Sequence, residues 1–134
     1  MALLIGALLA VAVGLLATTS GLDRDRAFYP TVTIVVGSYY CLFAAMGAST
    51  HTLVLESLIA GTFLALAVVG FRSSLWVVVT ALAAHGVFDL VHGGVVSNPG
   101  VPTWWPPFCL AYDVTAAGYL AWLLKSGRTR AGRL

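Results

Sequence analysis

Long apolar runs alternate with short polar breaks along the whole chain. Five runs, each about 17 to 22 residues, stand at 2–18, 30–48, 52–71, 75–94 and 105–124, the length an α-helix needs to cross roughly 30 Å of hydrocarbon. Each is apolar all round rather than alternating in polarity over about 10 residues, which excludes the strands of a membrane barrel. The breaks are no longer than about 11 residues and leave no room for a soluble domain. The pattern therefore predicts one all-α domain over residues 1–134, an integral membrane bundle of five transmembrane helices. The first run, MALLIGALLAVAVGLLATTS, lacks the basic segment of a secretory signal peptide and is read as a span.

Composition supports the same class. Only 9% of residues are charged and mean hydropathy is +0.95, whereas soluble domains carry about 25% charged residues. The lipid bilayer is thus the first expected partner.

The few charges also orient the chain, because short cytoplasmic loops retain Lys and Arg. Arg24 and Arg26 lie in the first loop, Arg72 in the third, and Lys125, Arg128, Arg130 and Arg133 in the tail. With five spans these segments share one side, while the N-terminus, the loop around STHT and the loop SNPGVPTWWPP share the other and contain no Lys or Arg. The expected arrangement has the N-terminus outside and the C-terminus in the cytoplasm. The net charge of +2 then reflects topology, and no nucleic-acid partner is expected. Asp23 and Asp25 alternate with Arg24 and Arg26, so the first loop reads as nearly neutral and solvated.

Against this background the stretch AHGVFDLVHGG stands out. His85, Asp89 and His92 sit at i, i+4 and i+7 of the fourth span and form one stripe on one helical face. A stripe facing lipid would hold a carboxylate in hydrocarbon at a cost of several kcal/mol, so it should face the bundle interior or a wet cavity. Counting about 1.5 Å per residue places His85 near the midplane, Asp89 higher and His92 near the outer surface. The same count puts Glu56 about one turn below that surface, Asp113 roughly two turns down, and His51 in the loop above. The scarce ionisable groups converge in the outer half, which predicts a single site.

Three uses compete for that site. Imidazole nitrogen and carboxylate oxygen are ligands for zinc, iron or manganese, so His85, Asp89, His92 and Asp113 form the first candidate metal set, with Glu56 and His51 as second choices. A metal with an open position would make the protein hydrolytic, with Asp89 and Asp113 in catalytic roles, or redox-active; haem is a weaker variant. The second use is a proton-coupled carrier or ligand-binding protein, in which the carboxylates exchange protons and the histidines relay them. The third is purely structural, with the groups locking helices together by bonds worth about 0.6 to 2 kcal/mol each. A small molecule or a lipid is the substrate class open to the first two, and the Gly, Ala and Ser content of the first two spans permits self-association.

The segment GGVVSNPGVPTWWPPF that follows is rich in Gly and Pro, so it predicts a stiff outer loop with a tight turn at Asn98, Pro99 and Gly100 and Pro106 or Pro107 in the first turn of the fifth helix. Trp104 and Trp105 belong to the membrane interface, and the loop is a candidate lid over the cluster. One of Tyr39, Tyr40 and Tyr112 is expected to donate to a buried carboxylate, with Tyr112 disfavoured because it flanks Asp113. Cys41 and Cys109 form no disulfide or zinc-ribbon spacing and read as small buried hydrophobes, bridgeable only if the second and fifth helices are neighbours.

From AHGVFDLVH through NPGVPTWWPPFCLAYDVTAAGYLAW, roughly the last third of the chain resembles a family of small bacterial multi-pass membrane proteins. The resemblance implies a helical bundle in the bacterial inner membrane and carries no activity to any position. The WWPP run alone is similar to that of tryptophan-rich sensory proteins, but the length and the remaining pattern do not fit, and that assignment is not adopted.

Overall fold

A computed structural model describes residues 1–129. It contains five helices, α1 (Ala2–Ser20), α2 (Phe28–Gly47), α3 (Thr50–Arg72), α4 (Leu75–Val95) and α5 (Trp105–Lys125), and no strand among the described residues. All five are long and apolar enough to cross a membrane. Arg130 and Arg133, counted above with the basic tail, lie outside the described residues.

Local chemistry sets the helix ends. Ser49 caps α3 by accepting from Thr52 N at 3.1 Å, and Ser74 caps α4 by accepting from Trp76 N at 3.3 Å. Gly21 closes α1 with φ of 82°, a left-handed conformation that glycine adopts without steric cost. Pro106 and Pro107 fall in the first turn of α5, where a missing N–H removes no hydrogen bond. Gly93 and Gly94 do not stop α4, which continues to Val95. Their propensity penalty of about 1 kcal/mol each is smaller than the several kcal/mol of leaving a backbone group unpaired in hydrocarbon.

The helices pack in an order that differs from their order in the chain. α2 and α3 form an antiparallel pair, α4 packs on both and on α5, and α5 lies between α4 and α1. α1 runs parallel to α5: Gly6 abuts the Phe108 carbonyl and Gly14 abuts the Tyr119 ring. Its buried residues are Gly6, Ala10, Gly14 and Ala17, a stripe of small side chains that lets the two backbones approach closely. The small-residue face of the first span is therefore engaged within the chain.

The first loop is not solvated as expected, because Asp23 and Arg26 are only 3% and 6% exposed. Thr18 donates to Asp23 Oδ2 at 2.5 Å, and Thr129 donates to the Asp23 carbonyl at 3.0 Å. Arg26 donates to the Phe71 and Gly70 carbonyls at the end of α3. Those carbonyls have no partner within their own helix, and a guanidinium with several donors satisfies both.

Candidate functional site

One turn separates His85 from Asp89 on α4, and three further residues lead to His92. All three are at most 3% exposed, so the stripe faces inward. On α5, Cys109 and Asp113 are likewise one turn apart, and both are buried against α4. Gly86 eases this contact, since a Cβ there would stand 3.1 Å from Val114 and 3.2 Å from the Leu110 carbonyl.

His85 Nδ1 lies 2.6 Å from Asp113 Oδ2 and 3.7 Å from Asp89 Oδ2. The Cys109 thiol donates to Asp113 Oδ2 at 3.6 Å, and the Tyr40 hydroxyl of α2 donates to Asp89 Oδ1 at 2.6 Å. Ligand-type atoms of His85, Asp89, Cys109 and Asp113 all lie within 4.8 Å of one another. Asp89 Oδ2 and Asp113 Oδ1 are buried without a hydrogen-bond partner. Phe63 closes one side of His85, its ring edge-on at 4.7 Å.

A second pair sits one step further along α4. His92 Nε2 is 2.8 Å from Glu56 Oε1 of α3, which also accepts from Asn98 Nδ2 at 2.8 Å. Tyr40 joins the two groups: its ring stacks on His92 at 3.8 Å between centroids while its hydroxyl holds Asp89. Asn98 also donates to the Tyr40 carbonyl at 3.1 Å, and Thr52 donates to the Ser97 carbonyl at 3.1 Å. The expected tight turn is present, closed by Val101 N donating to Asn98 O at 3.1 Å. Gly100 within it rests against the Phe43 carbonyl, where a Cβ would collide. The loop is thus fastened down, and what it covers is the Glu56–His92 pair.

The single cluster expected from the sequence is therefore two adjoining groups. His85, Asp89 and Asp113 come together as expected. His92 belongs with Glu56 instead, because α3 presents Glu56 at the level of His92 and the apolar Phe63 at the level of His85. His51 joins neither; it stands exposed in the first turn of α3 rather than in a loop. Cys109, read as a small hydrophobe, is a member of the inner group. Its i, i+4 spacing to Asp113 repeats that of His85 to Asp89 and was the signal in the sequence. Asn98, read only as a turn residue, is a polar strut. Both cysteines are free, and Cys41 lies instead 3.9 Å from Ser57. The two tryptophans part company: Trp104 is 54% exposed, whereas Trp105 is buried against Tyr39 and Phe43.

Two cavities adjoin these groups. One of about 300 Å³ lies under the loop between α4 and α5 and reaches His92. The other, of about 330 Å³, opens between α1, α2 and α5 and reaches Cys109.

The donor set suits a transition metal. Two bonds of about 2.0 to 2.3 Å at a tetrahedral angle separate the ligand atoms by about 3.3 to 3.8 Å. The His85–Asp89 and Cys109–Asp113 separations of 3.7 and 3.6 Å are already near that spacing. The His85–Asp113 pair must open from 2.6 Å, where the two atoms are hydrogen-bonded. Charge points the same way. Two ionised carboxylates beside one imidazole leave excess negative charge in the bundle interior, which bound protons or a cation must offset. Comparison with known proteins adds no assignment: no family model matches the chain, and neither a curated protein nor a solved structure matches it.

Proposed function

We propose that this is a multi-pass protein of a bacterial cytoplasmic membrane, N-terminus outside, holding a divalent transition metal such as zinc or iron on His85, Asp89, Cys109 and Asp113. The observation that carries the reading is the pair of buried carboxylate oxygens without partners, set among an imidazole and a thiol whose donor atoms lie within 4.8 Å. A mixed N, S and O set of four fits zinc or ferrous iron. Bound there, such an ion would supply Lewis-acid activation of water or, for iron, one-electron chemistry, so the reaction class is hydrolytic or redox. Tyr40 orients Asp89 for ligation, and the Glu56–His92 pair lies outside the ligand set.

A second reading rests on the same groups in series. Asn98, Glu56, His92, Tyr40, Asp89, His85 and Asp113 form a file of polar side chains leading from the outer loop to the centre of the bundle, as a proton-coupled carrier requires.

Metal analysis of detergent-purified protein separates the two. On the metal reading the purified chain holds stoichiometric zinc or iron, and cobalt reconstitution yields a thiolate-to-metal absorption band that Cys109→Ser removes. Protein that takes up neither zinc, iron nor cobalt rejects the centre. In that case pH-driven flux in proteoliposomes, abolished by Asp89→Asn, identifies the carrier. Absence of both leaves a structural role.

A further inference from the structure

We propose that the cavity between α1, α2 and α5 holds one acyl chain of a bilayer phospholipid and brings it alongside Cys109. This names the substrate class of the proposed centre and rests on that reading for the identity of the reacting group; occupancy of the cavity does not depend on it.

The cavity exists because of how α1 is held. Its small-residue stripe fastens it to α5, and it makes no packed interface with α2. The space left over is about 330 Å³, walled by Leu9 and Val13 of α1, Val32 and Val35 of α2, and Phe108 and Cys109 of α5 among others. That volume lies at the small end of the 300 to 1,000 Å³ typical of ligand sites. Polar atoms in the wall are few: Thr31 already donates its hydroxyl to the Ala27 carbonyl at 2.8 Å, and the others belong to Tyr39, Tyr112, Cys109 and Trp105, whose side chains are otherwise apolar.

Shape selects the occupant further. Along α2 the wall runs from Phe28 to Tyr39, which at 1.5 Å per residue is about 16 Å, roughly one leaflet of a 30 Å hydrocarbon core. Every wall residue belongs to a helix long and apolar enough to span the membrane, so the medium at the opening is lipid tails. Trp105, Tyr39 and Phe108 close one end as a packed aromatic group. Cys109 belongs to the wall and to the four-residue cluster alike. An acyl chain in this space would lie against the apolar face of the group whose other side holds Asp113.

Trp105 makes occupancy measurable, because it lines the cavity yet is only 8% exposed to the surroundings. Replacing Trp76, Trp104 and Trp122 by Phe leaves Trp105 as the sole tryptophan of the four. In phosphatidylcholine vesicles whose acyl chains carry mid-chain bromines, its emission should fall about twofold relative to unbrominated vesicles, since heavy-atom quenching needs van der Waals approach. Val13→Phe with Val32→Phe should narrow the cavity enough to exclude a chain and restore the emission. Val35→Phe, placed at the half-exposed rim, should do likewise with less strain on the core. Undiminished emission overturns the proposal, and so does quenching that neither filled variant relieves, because that quenching comes from lipid at the rim. Protection of Trp105 together with cross-linked dimers assigns the space to a second copy and overturns it too. Zinc measured on the same samples keeps the two readings apart: quenching lost with metal retained removes this inference alone, and metal lost with quenching retained removes the metal centre alone.

Discussion

The imidazole of His92 lies almost parallel to the phenol of Tyr40, with 3.8 Å between ring centroids and 16° between planes, while the Tyr40 hydroxyl donates to Asp89 at 2.6 Å. One side chain from α2 thereby touches both polar groups of α4. The Glu56–His92 pair and the His85–Asp113 pair are mechanically one assembly through it.

Tyr40→Phe tests that role directly. The stacking on His92 is retained and the hydrogen bond to Asp89 is lost, leaving a buried carboxylate with no hydrogen-bond partner for either oxygen. The expected cost is about 2 kcal/mol, in line with a hydrogen bond to a charged group, read as a lower unfolding midpoint in detergent. On the metal reading, loss of this orienting contact also weakens metal affinity by about 10- to 100-fold, which competition with a chelator measures.

His85 and Asp113 should behave as a unit. Removing one member of a buried pair strands the other, so His85→Ala and Asp113→Asn should each cost about 3 kcal/mol. The double substitution should cost less than the sum by about 1 kcal/mol or more, because the stranded partner is gone. Strict additivity in a double-mutant cycle would contradict the 2.6 Å contact.

Asn98 is expected to control the loop between α4 and α5. Asn98→Ala removes the links to Glu56 and to the Tyr40 carbonyl together, at about 1 kcal/mol per bond. Amide exchange over residues 96–104 should quicken while that of α4 and α5 stays slow. Asn98→Asp should be worse, since it sets a second carboxylate against Glu56.

Glycines on α1 and α5 should separate by position. Gly6→Val drives a side chain into the Phe108 carbonyl and should undock α1 from α5, lowering the unfolding midpoint and breaking a cross-link between cysteines placed on facing turns. Gly118 faces open space, so Gly118→Ala should be neutral or stabilising by about 0.5 to 1 kcal/mol.

The amino-acid sequence by itself determined the five helices, because length and hydropathy are properties of one segment at a time. The runs read at 30–48 and 75–94 are the observed Phe28–Gly47 and Leu75–Val95. It also determined that His85, Asp89 and His92 face inward, since helical spacing puts them on one side and hydrocarbon excludes a carboxylate from the other. Which groups meet was decided only in three dimensions. Nothing local tells α5 to lie between α1 and α4, yet that placement is what gives His85 its Asp113, draws Cys109 into the cluster and leaves the cavity beside α2. The burial of Asp23 and Arg26 was hidden for the same reason: their partners are Thr18 and the end of α3, and pairing across helices depends on packing that hydropathy does not encode.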